Sequence, residues 1–276
     1  MAWIRLLVIL LGLPLVAGLV AWGGWPLTAG LGIVSLLGYR EFSQAVRRSH
    51  LWVVREVGYA VGLGFLIAAQ LFPAEDLPEA LVGVLFFGMA ASWIAQGERS
   101  GEGSAISRVG VTLLGCLYVG FNLSFWVLLR SLPGPLRQIG GYPLEYGAQL
   151  LGLTIAATWG WEVVNAFLLA RISPLEASPV EKAFRWKAEA VGLVVAWGIM
   201  LWGGAWCGIP LGHRWALGGL VGVAATLGQR AKRQLLREAG ASQFEGLFAG
   251  QASVLAHFSG LLWTVPVAYF YAMIWL

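Results

Sequence analysis

The chain has 276 residues, 58% of them hydrophobic and 12% charged, with a mean hydropathy of +0.74. Length alone would allow one or two soluble domains, but this composition excludes them and indicates a polytopic membrane protein. The net charge of +4, from 18 basic and 14 acidic residues, speaks to topology and anionic lipid before nucleic acid.

The first apolar run, 6–22, has no small-residue cleavage pattern at its end and is followed by further runs, so it reads as a retained helix. Further runs fall at 24–39, 57–72, 80–97, 106–129, 146–170, 189–207, 214–229 and 254–275. The expected fold is therefore all-α: a transmembrane bundle of about nine spans in a single integral-membrane domain. Its N-terminal helices run to about residue 130 and its C-terminal part from about 144. Runs 24–39 and 214–229 are short of the roughly 20 residues a crossing needs, and are expected to be tilted, extended or partly re-entrant.

Basic residues cluster after the second, sixth and eighth runs: Arg40, Arg47, Arg48 and Arg55; Arg171, Lys182, Arg185 and Lys187; Arg230, Lys232, Arg233 and Arg237. With nine crossings and a cytoplasmic N-terminus all three clusters face the cytoplasm, as the positive-inside bias requires. The acidic turn Glu75, Asp76, Glu79 and the Pro/Gly-rich stretch 131–143 then lie opposite, with Arg130 and Arg137 as exceptions, and the C-terminus lies outside. A bacterial inner membrane is the expected location.

The 15 Trp and 38 Gly fit interfacial anchoring and close helix packing. Gly218 with Gly222, and Gly110 with Gly115, are expected at helix contacts. Cys116 and Cys207 are isolated and predict neither a metal site nor a disulfide. His257 has no His or Cys in ligand spacing, which makes zinc improbable, and His50 and His213 sit near predicted membrane boundaries. No Gly-rich phosphate loop is present.

Glu162 is the sharpest single residue, a carboxylate inside the sixth run with Asn165 three residues on and on roughly the same face. Such a group is costly in a membrane and points at a partner or into a polar cleft. Asn122 and Ser124 in the fifth run and His257 at the start of the last are candidate partners, and a functional cleft and a structural hydrogen-bond network both remain open.

From Gly228 to Ser259 the chain resembles the signature of the phosphatidate cytidylyltransferases, which join CTP to phosphatidic acid. The register runs without a gap. Gly228 keeps the first Gly, but Gln229 stands where that signature has Asp, and Leu236-Arg237 takes a Lys-Arg place before Glu238-Ala239-Gly240. Ser242-Gln243 replaces Lys-Asp, and the stretch from Ala249 through Gln251 to Ser253 replaces Pro-Gly-His-Gly-Gly with only Gly250 kept. Ala256-His257 replaces Asp-Arg, and Ser259 replaces the last Asp. The run Leu261 to Val267, the triplet Arg40-Glu41-Phe42, and Arg171-Ile172-Ser173-Pro174 with Ser178-Pro179 and Lys182 extend the likeness, although the Trp-Glu-Gly of the family loop is missing.

The resemblance implies a cytidylyltransferase-like bundle whose chemistry would need magnesium held by carboxylates. The chain has a single aspartate, Asp76, in a loop away from the signature. The expectation is a catalytically inactive relative that binds anionic phospholipid or acts as a regulatory or partner subunit, as a homodimer or a heteromer, with no cofactor. Arg230, Arg233 and Arg237, at i, i+3 and i+7 with Lys232 beside them, would hold the lipid phosphate; the alternative is an ordinary basic flank. A second reading is an active enzyme using magnesium and CTP, with Glu162, Glu181 and Glu189 as relocated carboxylates. A third, the least favoured, is a lipid or solute transporter built around Glu162 and Asn165.

Overall fold

The computed structural model describes residues 12, 14–97, 104–135, 137–139, 142–169, 179–240 and 253–276. These are helical apart from turns and one short hairpin, as an all-α fold requires. They group into two compact units: one runs to Leu128 and adds Leu235–His257, the other comprises Leu129–Gln234 and Phe258–Leu276.

In the first unit, a turn at Gly23 and Gly24 with φ of 67° and 52°, a left-handed conformation that favours glycine, leads into α1 (Gly24–Arg48). Its buried residues Leu27, Leu31, Ser35, Gly38, Phe42 and Val46 recur every three or four positions and define one face. Helix α2 (Arg55–Leu71) packs along that face. Thr28 Oγ1 donates to Gln70 Oε1 at 2.8 Å, and a Cβ at Gly58 would stand 1.9 Å from the Tyr39 ring. Next come α3 (Leu77–Gly97) and α4 (Ala105–Gly115), which continues through a π-helical turn, Cys116–Phe121, into α5 (Asn122–Arg130). Tyr39, Val61, Phe65 and Cys116 form the buried centre. The π turn lies backbone to backbone on α2: a Cβ at Gly120 would come within 2.5 Å of Gly62 Cα. Such approach between glycines is the small-residue packing that substitutes for a hydrophobic drive inside lipid. Gly115 likewise abuts Phe42, while among the described residues nothing lies within 4 Å of a Cβ at Gly110.

The second unit begins with the end of α5. The Pro/Gly-rich stretch contains an antiparallel hairpin, β1 (Arg137–Ile139) and β2 (Tyr142–Leu144), with Arg137 opposite Leu144. Helix α6 (Tyr146–Leu168) packs against α7 (Pro179–Trp206), where a Cβ at Gly160 would meet Ile199 at 2.4 Å and one at Gly203 would meet Leu153 at 2.4 Å. Helix α8 (Leu211–Glu238) uses the expected Gly218 and Gly222 against Trp197 and Leu193 of α7. The Trp197 indole donates to Trp215 O at 2.8 Å. A short helix, α9 (Val254–Phe258), breaks at Ser259 and Gly260 before α10 (Leu261–Trp275).

The expectation of nine spans does not hold. Four described helical stretches are long and apolar enough to cross a membrane: Leu77–Ala95, Ala105–Arg130, Phe184–Trp206 and Val254–Trp275. They coincide with four of the expected runs. The other described helices fall short in length or carry polar and charged residues along them. The 17 residues of α2 fall below the roughly 20 a crossing needs. Helix α1 continues through Arg40, Glu41, Arg47 and Arg48, and α8 carries Arg214, Gln229, Arg230, Lys232, Arg233 and Arg237. Helix α6 contains Gln149, Glu162 and Asn165. Of the first expected run, residues 6–11 and 13 lie outside the described residues. The assignment of loops to alternate sides rested on nine crossings and falls with that count. The integral-membrane character does not, since the four spans present large exposed apolar side chains such as Phe87, Ile94 and Trp202.

Candidate functional site

Glu162 enters its surroundings from α6, on a face continued by Thr154, Thr158 and Asn165. The first two are fully buried. Each returns its hydroxyl to its own helix (Thr154 Oγ1 to Leu150 O and Thr158 Oγ1 to Thr154 O, both 2.8 Å), and Thr158 also reaches Thr264 Oγ1 of α10 at 2.9 Å. One turn along, Glu162 Oε1 accepts from Gln229 Nε2 of α8 at 2.8 Å. The same amide lies 3.2 Å from Ser259 Oγ, and the Gly260 backbone N–H also donates to the carboxylate. Lys232, three residues after Gln229 and thus on its face of α8, interacts electrostatically with Glu162.

Two glycines make this convergence possible. A Cβ at Gly228 would stand 2.5 Å from Ser259 O and 3.1 Å from Gly260 Cα, so α8 meets the α9–α10 break backbone to backbone. A Cβ at Gly260 would lie 2.6 Å from Glu162 Oε1, in the space the carboxylate occupies. The break itself exposes a backbone N–H that a continuous helix would have used internally.

Beside this cluster lies a second one. Glu189 of α7 is buried, and its two oxygens each take one guanidinium: Arg230 Nη2 on Oε2 and Arg233 Nη2 on Oε1, both at 2.6 Å. Arg230 also stacks on the exposed Trp186 ring, 4.2 Å from its centroid. Its side chain stays 40% exposed and that of Arg233 26%, so donors remain on the outer side for a further anion.

The remaining sequence-derived candidates are dispersed. Asn165 donates to Trp161 O at 3.0 Å, and its buried Oδ1 has no hydrogen-bond partner among the described residues. Asn122, in the first unit, donates to its own-helix Tyr118 O at 3.1 Å, and Ser124 Oγ to Phe121 O at 2.6 Å. His257, exposed in the first unit, has Nδ1 2.8 Å from Ser253 O. Arg237 is exposed at the end of α8 that groups with the first unit. Ala256 contributes its backbone N–H to Ser253 Oγ at 3.0 Å. Gln243, Gln251 and the Glu181 side chain lie outside the described residues.

One residue carries more than its sequence position suggested. Glu41 is buried in the first unit and accepts three hydrogen bonds, from Ser253 Oγ at 2.6 Å, Val254 N at 3.0 Å and Leu255 N at 2.8 Å. It caps α9 from a distant part of the chain. A carboxylate between Arg40 and Phe42, on the line of the helix's apolar face, was the available signal, but nothing in the sequence names its partners.

The carboxylate-held magnesium of the resemblance can be tested against these donors. A hard divalent ion needs several oxygen lone pairs converging on one point. Around Glu162 the groups that converge are N–H donors, from Gln229 and Gly260, and the second carboxylate nearby, Glu189, has both oxygens on arginines. The residues present do not fit the ion.

No protein-family model matches the chain. The phosphatidate cytidylyltransferase of Synechocystis sp. is 23% identical over 294 residues, an alignment covering 98% of this chain and 96% of that protein. The relationship is distant and runs from end to end.

Proposed function

We propose that this chain is a non-catalytic membrane relative of the phosphatidate cytidylyltransferases that holds an anionic phospholipid headgroup and serves as a regulatory or partner subunit. The observation that carries this reading is the meeting of Gln229 with both Glu162 and Ser259. Gln229 and Ser259 are two positions where the resemblance expects aspartate, one on α8 and the other at the α9–α10 break, and they lie together in space. Where the resemblance expects two aspartates the site has an amide and a hydroxyl, which supports a loss of the charge that would hold a metal.

Nucleotidyl transfer between two phosphates gathers several negative charges, which metal ions bridged by carboxylates normally neutralise. Here one carboxylate is surrounded by donors and the next is neutralised by two guanidinium groups. What the second unit offers outward is the partly exposed Arg230 and Arg233 with the Trp186 ring, chemistry that suits a lipid phosphate at the membrane interface.

The test is direct. Purified protein with magnesium, labelled CTP and phosphatidic acid is expected to form no CDP-diacylglycerol. Turnover that disappears in Glu162→Gln would sink the proposal. Native mass spectrometry is expected to find phosphatidic acid retained by the wild type and severalfold less by an Arg230→Gln/Arg233→Gln variant. Equal retention would remove the headgroup assignment.

A further inference from the structure

We propose that the α1–α2 corner of the first unit is an interfacial anchor that recognises an anionic phospholipid leaflet, separate from the arginine pair of the second unit. The corner is a closed helix end. Leu51 N donates to Val46 O at 3.3 Å and His50 N to Arg47 O at 3.2 Å, the paired bonds of a Schellman turn. Such a turn needs a left-handed residue. Here it is His50, with φ of 57°, where glycine is the unstrained choice. The turn leaves Leu51 and Trp52 each 37% exposed, while Val53 and Val54 after them are buried. The Arg47 guanidinium lies over the Trp52 ring, 4.7 Å from its centroid. Ser49 Oγ donates to Glu238 O at 2.8 Å, which fixes the corner to a distant part of the chain.

The spanning helix beside it sets its height in the membrane. The stretch Ala105–Arg130 is charged at Arg108 and Arg130, about 33 Å apart along a helix rising about 1.5 Å per residue, close to the roughly 30 Å of a bilayer's hydrocarbon. Val54 N donates to Thr112 Oγ1 at 3.0 Å, one turn inside Arg108. Further along both elements Gly62 meets Gly120, so α2 runs inward from Val54 beside the span. Leu51 and Trp52 therefore sit at the Arg108 end, where hydrocarbon gives way to headgroups. Exposed Leu and Trp suit that level, the indole combining an apolar body with a polar N–H. Arg47, Arg48, Arg55 and Arg237 lie on or beside the corner against Glu56 and Glu238, leaving a positive excess. A guanidinium stacked on a ring keeps its N–H donors at its edge for phosphate oxygens. An acidic protein segment would match the arginines but not the level of Leu51 and Trp52, which is that of lipid.

Photo-crosslinking tests this in the full-length protein, held in nanodiscs of phosphatidylcholine mixed with phosphatidylglycerol. The photoreactive p-benzoylphenylalanine replaces Leu51, and mass spectrometry identifies its adducts. Lipid adducts are expected, with phosphatidylglycerol about fivefold above its share of the mixture, the factor that one basic residue near an anionic surface contributes. Arg47→Gln/Arg48→Gln should return phosphatidylglycerol to its share. Raised salt should do the same without any further substitution, which keeps the test open if the arginine variant folds poorly. Arg230→Gln/Arg233→Gln should leave the enrichment unchanged, so this result stands or falls apart from the headgroup assignment in the second unit. Lipid adducts with no preference for phosphatidylglycerol would overturn the proposal. So would a preference that survives raised salt or the Arg47 and Arg48 changes in a folded protein, or adducts to a second copy of the chain in place of lipid.

Discussion

Replacing Glu41 by alanine tests how a carboxylate in α1 holds the start of α9. Its oxygens accept from one hydroxyl and two backbone N–H groups at 2.6–3.0 Å, in a buried setting. Hydrogen bonds to a charged acceptor contribute about 1.5–3 kcal/mol each, but they are not additive, and first-turn N–H groups can recover water once the segment opens. A net local loss of about 3 kcal/mol is therefore expected, well short of the sum of the three. At about 1.4 kcal/mol per tenfold, amide exchange at Val254 and Leu255 should accelerate by roughly two orders of magnitude. Glu41→Gln keeps one acceptor oxygen and should accelerate exchange by about tenfold. Hydrogen–deuterium exchange with mass spectrometry on the detergent-solubilised protein gives the measurement, with peptides from α6 as an internal reference. Protection at Val254 and Leu255 that stays within threefold of wild type in Glu41→Ala would refute the reasoning, since these hydrogen bonds would then contribute almost nothing.

Three further outcomes follow from the packing and polar pairs of the second unit. Gly260→Ala places a methyl group where Glu162 Oε1 now lies, and should cost about 1–3 kcal/mol, read as a lowered Tm in detergent; an unchanged Tm would mean that the α9–α10 break yields freely. Thr158→Val should cost about 1 kcal/mol by removing the partner of the buried Thr264 hydroxyl, and Thr264→Val less because Thr158 keeps Thr154 O, while the double variant should cost less than their sum, as a double-mutant cycle on urea or thermal unfolding would report. Glu189→Gln releases Arg230 and Arg233 from their shared partner. Stability should fall while phosphatidic acid retention rises severalfold, and a fall in retention would show that Glu189 presents the arginines rather than competing for them.

How far the sequence reaches can be judged residue by residue. Glu162 was legible because a carboxylate in an apolar helix demands a partner, but the partners were not. Asn122 and His257 were reasonable candidates by placement alone, yet each turns to a backbone carbonyl of its own segment. Gln229 and Ser259 were visible only as departures from a signature, and their hydrogen bonds to one another appear only when α8 and the helix break come together. The i, i+3 spacing of Arg230 and Arg233 correctly gave a shared face, but spacing on one helix cannot reveal an acid on the next, so Glu189 read as a spare carboxylate. The membrane character was written in the composition. The number of crossings was not, because an apolar run and an apolar helix are different lengths of chain.

The π-helical turn at Cys116–Phe121 has a consequence for variation in this chain. A turn holding one residue more than an α-helical turn advances the downstream face by about 100°. Asn122–Arg130 therefore points its side chains where a straight continuation of Ala105–Gly115 would not. A single-residue deletion between Cys116 and Phe121 that let the turn close as regular α-helix would remove the extra residue and leave the buried Leu123, Trp126 and Leu129 on the side they now occupy. Loss of one residue here is absorbed by the turn, whereas the same loss elsewhere in the helix would rotate everything that follows by about 100°.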